Sequence, residues 1–258
     1  MINRMWLQFV DKQEGQLMVQ LTDGWPELTY RYLEHYYWEP QHLIRTKRSI
    51  ADAKVRGESG VEAFYRRIRS QEVPLNYLLN VFLRIAPSSI RCSCLAPFGI
   101  EPVELGRSPI ILKTPCELDF IQADVYLESE TARVFIEVKV NARLTLSQIK
   151  KYIQLHAELD KEHNRKHYIL FLSKRDTVTL SDAKLSFNHE TARPVLADAL
   201  GPDGEGVTFG SATWTAFAQN ILHELDNRRD ETGEAAEMLD VLIGDFLSDL
   251  STRKLISV

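Results

Sequence analysis

The run Val134-Phe135-Ile136-Glu137-Val138-Lys139-Val140 restricts the fold more than any other part of the chain. Its β-branched and aromatic residues predict a strand, and strand side chains alternate faces. Val134, Ile136, Val138 and Val140 therefore share one side, and Phe135, Glu137 and Lys139 the other. A carboxylate and an ammonium so placed stand within a run apolar enough to be sheet interior. Charges there are unfavourable unless they are paired or bound to a metal.

A chain of 258 residues with 44% hydrophobic content can bury one large core or two modest ones, so a folded globular protein is expected. The opening Met-Ile-Asn-Arg-Met-Trp lacks the basic and apolar regions of a signal peptide, and no apolar run reaches bilayer length. The expectation is a soluble, cytoplasmic protein. Cys92 and Cys94 are too close in sequence to bridge easily, and a zinc site would need a fourth ligand, so the cysteines read as buried thiols.

Net charge of −5 argues against a uniformly basic nucleic-acid binder, but the charges are segregated. From Arg45 to Arg69 eight Lys or Arg stand against Asp52, Glu58 and Glu62, whereas from Glu224 to Asp249 nine acids face only Arg228 and Arg229. Solvated faces explain either segment alone. Beside a phosphodiester site the basic segment would hold a nucleic-acid backbone.

Residues 1–50 alternate short apolar runs (Trp6–Val10, Leu17–Leu21) with turn residues and read as an N-terminal appendage. Its cluster Tyr36-Tyr37-Trp38 could stack bases or pack a core. Helices are expected over Val61–Arg69 and Leu75–Ile85, separated near Pro74 and ended by Pro87. Strands follow at Leu118–Leu127 and Val134–Val140, then a helix over Leu146–His163 and a buried strand over Tyr168–Leu172. Residues 176–210 read as loop-rich, with a short strand at Val207–Phe209. Helices over Thr215–Asn227 and Ala235–Leu250 close the chain. The second carries Leu239, Leu242, Ile243, Phe246 and Leu250 as a stripe suited to core packing or to a homodimer contact.

The strand ahead of Glu137 supplies a second acid. A hairpin turning between Glu130 and Thr131 sets Asp124 directly opposite Glu137, where the like charges repel and a divalent cation would join them. Mg²⁺, or Mn²⁺ in its place, suits hard oxygen donors, and Asp124, Glu137 and the Val138 carbonyl offer three. Water activated by the cation would be the nucleophile, with Lys139 orienting it and stabilising charge on the phosphorus oxygens. Asp119 is out of phase with Asp124 on an unbroken strand and would face the other side.

Asp124 followed after thirteen residues by Glu137-Val138-Lys139 resembles the Asp…Glu-x-Lys signature of the PD-(D/E)XK nuclease superfamily. Gln148-Ile149-Lys150-Lys151-Tyr152 is similar to the Gln-x-x-x-Tyr motif that many members carry on the next helix, and a closing helix led by Trp214 resembles one bacterial branch. The resemblance implies an α/β fold with a mixed β-sheet flanked by helices: an αβββαβ restriction-endonuclease-like core over residues 51–227, with a C-terminal helix in residues 228–258. It implies a Mg²⁺-dependent nuclease acting on DNA, with Gln148 and Tyr152 in the catalytic centre. An acid from the first core helix is also implied, for which Glu62 is preferred over Glu58 and Glu72. Ala123 stands where the family's naming proline would be.

Other readings of the same residues remain open. Glu-x-Lys in a strand is commonly an ion pair, Thr145-Leu146-Ser147-Gln148 fits a capping box, and Tyr152 shares a stripe with Leu155 and Leu159. Glu62 fits a surface pair with Arg66, and Lys150 and Lys151 fit a solvated helix face or a DNA contact. The alternative functions are a catalytically inactive nuclease-fold scaffold that binds nucleic acid or protein, and an unrelated α/β protein.

Overall fold

The computed structural model describes residues 24–26, 29–30, 48, 51–52, 54–57, 66–106, 110–113, 117–118, 121–140, 144–159, 164–228 and 231–256. The expected hairpin over Trp6–Leu21, the cluster Tyr36-Tyr37-Trp38 and the acids Glu58, Glu62 and Asp119 lie outside these residues.

The apolar run around Glu137 forms a strand, Ala132–Lys139, buried at every position but the last. In chain order the described elements begin with helices α1 (Glu72–Ile85) and α2 (Ser88–Ser93). Strands β1 (Ile111–Leu112), β2 (Glu117–Leu118), β3 (Ile121–Gln122), β4 (Val125–Glu128) and β5 (Ala132–Lys139) follow. Then come α3 (Leu146–Leu159), β6 (Lys166–Ser173), β7 (Val178–Leu180), β8 (Leu185–Phe187) and α4 (Ala192–Leu200). The last are β9 (Val207–Thr213), α5 (Trp214–Asn227) and α6 (Glu234–Thr252).

Five strands form one mixed sheet in the order β1-β4-β5-β6-β9, with β5 in the centre. β4 and β5 are an antiparallel hairpin, whereas β5, β6 and β9 run parallel. Parallel neighbours need a crossover, and α3 provides it between β5 and β6; the β7–β8 hairpin and α4 provide it between β6 and β9. Gly210 lets β9 pass close to the 3-10 turn Ala96–Phe98 that follows α2, since a Cβ there would stand 2.6 Å from the Phe98 carbonyl.

Each sheet face closes its own core. Val125, Leu127, Val134, Ile136 and Val138 pack with α1, α5 and α6, where Phe82 stacks on Phe246 with ring centroids 4.2 Å apart. Tyr126, Phe135, Ile169 and Phe171 pack with Ile149, Tyr152 and Leu155 of α3 and with Leu196 of α4. Burying a large apolar side chain is worth about 1.5–3 kcal/mol, so β5, enclosed on both sides, is a rigid platform for whatever it carries. The α6 stripe of Leu239, Leu242, Ile243, Phe246 and Leu250 is buried in the first core. Among the described residues no helix is long and apolar enough to cross a membrane.

The structure departs from the sequence expectations in four places. The strand expected over Leu118–Leu127 is broken: β2 and β3 pair with each other, and the chain bends at Asp124 before β4 starts. α1 begins at Glu72, ahead of Pro74, because a proline in the first turn lacks only an N–H that has no intrahelical partner. The region expected to be loop contains the β7–β8 hairpin and α4, which likewise accommodates Pro194 in its first turn. β9 extends to Thr213, beyond the expected end at Phe209, and hands over to α5 through the Thr213 hydroxyl, which accepts from the Ala216 amide.

Candidate active site

The β4–β5 register pairs Val125 with Ile136 and Glu128 with Arg133, as expected for a turn centred between Glu130 and Thr131. Asp124 stands one residue before β4, so it reaches β5 from the free edge left where β4 ends. Its Oδ2 accepts the Val138 amide at 2.8 Å in place of a strand partner. Amide and carbonyl of one strand residue leave the same edge, so the Val138 carbonyl faces the same space.

Helix α1 holds Asp124 from the other side. The Asn76 amide donates to Asp124 Oδ1 at 2.5 Å, and the Asn80 amide donates to the Asp124 carbonyl at 2.8 Å and to the Asn76 carbonyl at 2.7 Å. Neither asparagine was singled out in the sequence. Their signal is an i,i+4 polar pair on a helix that otherwise buries Leu75, Leu78, Leu79, Phe82 and Leu83.

Glu137, 4% exposed, points to the α3 side of the sheet. Gln148 donates to its Oε1 at 2.8 Å, the Tyr152 hydroxyl donates to its Oε2, and the Lys139 ammonium lies 2.5 Å from Oε1. The capping role open to Gln148 falls elsewhere: Thr145 Oγ1 accepts the Gln148 amide at 3.2 Å, and Asp182 accepts the Leu146 amide at 2.9 Å. With the helix start satisfied, the Gln148 side chain is directed to Glu137. Tyr152 is both core residue and carboxylate partner, its ring buried while its hydroxyl meets Glu137.

Glu72, one of the rivals to Glu62, stands at the start of α1 and accepts the Val140 amide at 2.7 Å. Glu62 itself lies outside the described residues. Of the lysines on α3, Lys150 pairs with Asp203 at 2.8 Å, while Lys151 is exposed. Arg48, Lys54, Arg56 and Arg66 of the basic segment are also exposed.

Electrostatics reflect the crowding of acids. Burial, and then the charge of Glu137, push the Asp124 carboxyl up to about 8, against the opposing pull of the Val138 amide and Lys139. For Lys139, burial works against the ammonium, but Glu137, Asp124 and Glu72 reverse that and raise its pKa. Burial and Glu137 raise the Tyr152 phenol, keeping it a protonated donor.

Among the described residues no three His, Cys, Asp or Glu side chains form a metal-holding group. The donors that converge are two carboxylates and one main-chain carbonyl. This hard-oxygen set fits Mg²⁺ or Mn²⁺, which keep several water ligands. Each Asp124 oxygen has one hydrogen-bond partner among these contacts, and a carboxylate oxygen can accept more. Comparison with protein-family models, curated proteins and solved structures gives no match.

Proposed function

We propose that this chain is a metal-dependent nuclease that hydrolyses phosphodiester bonds of DNA. The observation that carries the reading is the convergence of Asp124, Glu137 and Lys139 where β4 ends beside β5, with Gln148 and Tyr152 of α3 holding Glu137. With α2 and the short β2–β3 pair set aside as insertions, the order α1, β1, β4, β5, α3, β6 supports it as well, a helix, three strands, a helix and a strand as in the PD-(D/E)XK core.

Asp124, Glu137 and the Val138 carbonyl would hold Mg²⁺ or Mn²⁺, and when bound that ion supplies Lewis-acid activation of water and phosphate. The chain's own groups do the rest. Lys139, kept protonated by its acidic neighbours, is placed to donate to oxygens that gain negative charge at phosphorus. Tyr152 and Gln148 fix both Glu137 oxygens, and Asn76 and Asn80 fix the Asp124 side chain and backbone. The site is thereby preorganised by neighbours outside it.

Purified protein with Mg²⁺ or Mn²⁺ is expected to degrade or nick DNA, and Lys139→Ala to abolish cutting with the circular dichroism spectrum unchanged. Inactivity on single- and double-stranded DNA with either cation would overturn the reading. A second reading, a catalytically inactive scaffold, is favoured by the 2.5 Å Glu137–Lys139 contact, a pairing that satisfies both groups without a metal. Mn²⁺ titration separates the two: a nuclease binds the ion and loses it in Glu137→Gln, a scaffold does neither.

A further inference from the structure

A cavity of about 210 Å³ opens beside Val140, lined also by Arg69, Ser70, Lys174 and Arg253 over Leu75 and Leu255. It shares a wall with the carboxylate cluster. The Val140 amide is held by Glu72, and the Lys174 amide donates to the Lys139 carbonyl at 3.3 Å. Both lie just past the C-terminal ends of β5 and β6, the edge at which open α/β sheets collect ligands.

The cavity is cationic. Arg69, Lys174 and Arg253 line it; among the described residues Asp249 binds Arg69 at 3.0 Å and Arg253 at 2.7 Å, and Glu72 holds the Val140 amide on its wall. Three cations against these two carboxylates leave one positive charge, which the exposed Lys174 presents. Arg253 is rigidly held, since it also donates to the carbonyls of Arg69 and Gln71 and to the Tyr30 hydroxyl. Lys174 is exposed at the cavity, and its ammonium has no partner among the described residues.

We propose that this cavity binds a backbone phosphate of the nucleic acid beside the bond to be cleaved. The identity of the ligand rests on the nuclease reading; the positive cavity does not. Among the described residues Asp124, Glu137 and Glu72 stand against Lys139 next door, and even with the Asp124 carboxyl protonated the remaining acids outnumber the cation, so a polyanion approaching the cluster is repelled. A phosphate held past the end of β5, at Val140 and Lys174, meets the opposite field and anchors the strand. The Lys174 ammonium suits a tetrahedral oxyanion as a point charge, whereas the Ser70 hydroxyl is given to the Arg67 carbonyl and Arg253 to Asp249; among the described residues no aromatic ring lines the cavity to stack a base.

The test measures binding without catalysis: fluorescence anisotropy of labelled DNA, single- and double-stranded, in EDTA over a salt series. Lys174→Ala should weaken binding and lower the salt slope by about one, and Lys174→Glu should weaken it further. Lys184→Glu, in the exposed β7–β8 turn, should change binding less. Equal effects of Lys174→Glu and Lys184→Glu, or no binding by the wild type, overturn the proposal. Loss of a preference for 5′-phosphorylated over 5′-hydroxyl ends identifies a terminal phosphate; equal loss on both identifies an internal one, and either outcome supports the site. If the wild type neither cuts DNA nor binds Mn²⁺ while Lys174→Glu still weakens DNA binding, the nuclease reading falls and the phosphate site stands.

Discussion

Two buried acidic sites, little more than a shared wall apart, are neutralised in opposite ways. Asp249 on α6 has its side chain 1% exposed and receives Arg69, Arg253 and the Tyr30 hydroxyl. Two guanidinium groups surround one carboxylate, and the contacts tie α6 to the chain ahead of α1 and to Tyr30. At Asp124 and Glu137 the balance is reversed, with Glu72 adding a third acid and Lys139 as the neighbouring cation. The first site is a closed structural lock. The second holds acids whose repulsion the fold sustains through amide and hydroxyl donors from α1 and α3, an arrangement that a divalent cation would relieve.

The sharpest way to break this contrast is to remove one acid from each site and compare the stability of metal-free protein by urea unfolding. Asp249→Asn leaves two arginines facing a neutral partner and is expected to destabilise by about 3–5 kcal/mol. Glu137→Gln is expected to be milder, because the loss of its pairing with Lys139 is offset by relief of the repulsion with Asp124 and Glu72. Equal losses would mean that the two sites are alike, and the metal reading would lose its electrostatic basis.

The same comparison predicts a pH dependence of known sign. Asp124 binds its proton more tightly when folded, at about 8, than at the ordinary carboxyl value of 3.8. Its contribution to stability is therefore present below about 3.8 and is lost as pH rises towards 8. Melting temperatures of the metal-free wild type should show this decline, and Glu137→Gln should flatten it by removing the second-largest cause of the shift. An unchanged slope in that variant would remove Glu137 as a cause.

The smallest expected effect concerns how Asp124 is held. Asn80→Ala removes the donor to the Asp124 carbonyl and should destabilise by about 0.5–1.5 kcal/mol, with weaker Mn²⁺ binding as the companion readout. Unaltered Mn²⁺ affinity would show that the clamp is dispensable for metal binding.

The β5 strand, the β4–β5 register and the sharing of one face by Phe135, Glu137 and Lys139 were legible in the sequence, because they follow from alternation and a two-residue turn. Gln148 and Tyr152 were legible as a motif, but the choice between cap, core and carboxylate holder was not. It depended on Thr145 and Asp182 satisfying the start of α3. Glu72 falls in the first turn of α1 because that turn accommodates Pro74, which the sequence pattern alone places between two helices; Glu62 lies outside the described residues. Asn76 and Asn80 gave only a weak local sign, since their target is 48 and 44 residues away.

By itself, then, the sequence determined which residues alternate and where acids stand beside an apolar strand, since these are matters of near neighbours along the chain. Tertiary structure alone decided that β4 begins only at Val125 and leaves an edge for Asp124, that two asparagines of α1 hold it there, and that Arg69, Lys174 and Arg253 meet beside Val140. Charge balance at a buried site is summed over segments distant in sequence, so no local pattern carries it. The opening feature, Glu137 and Lys139 on one strand face, acquires its chemical character from neighbours that only the fold brings in.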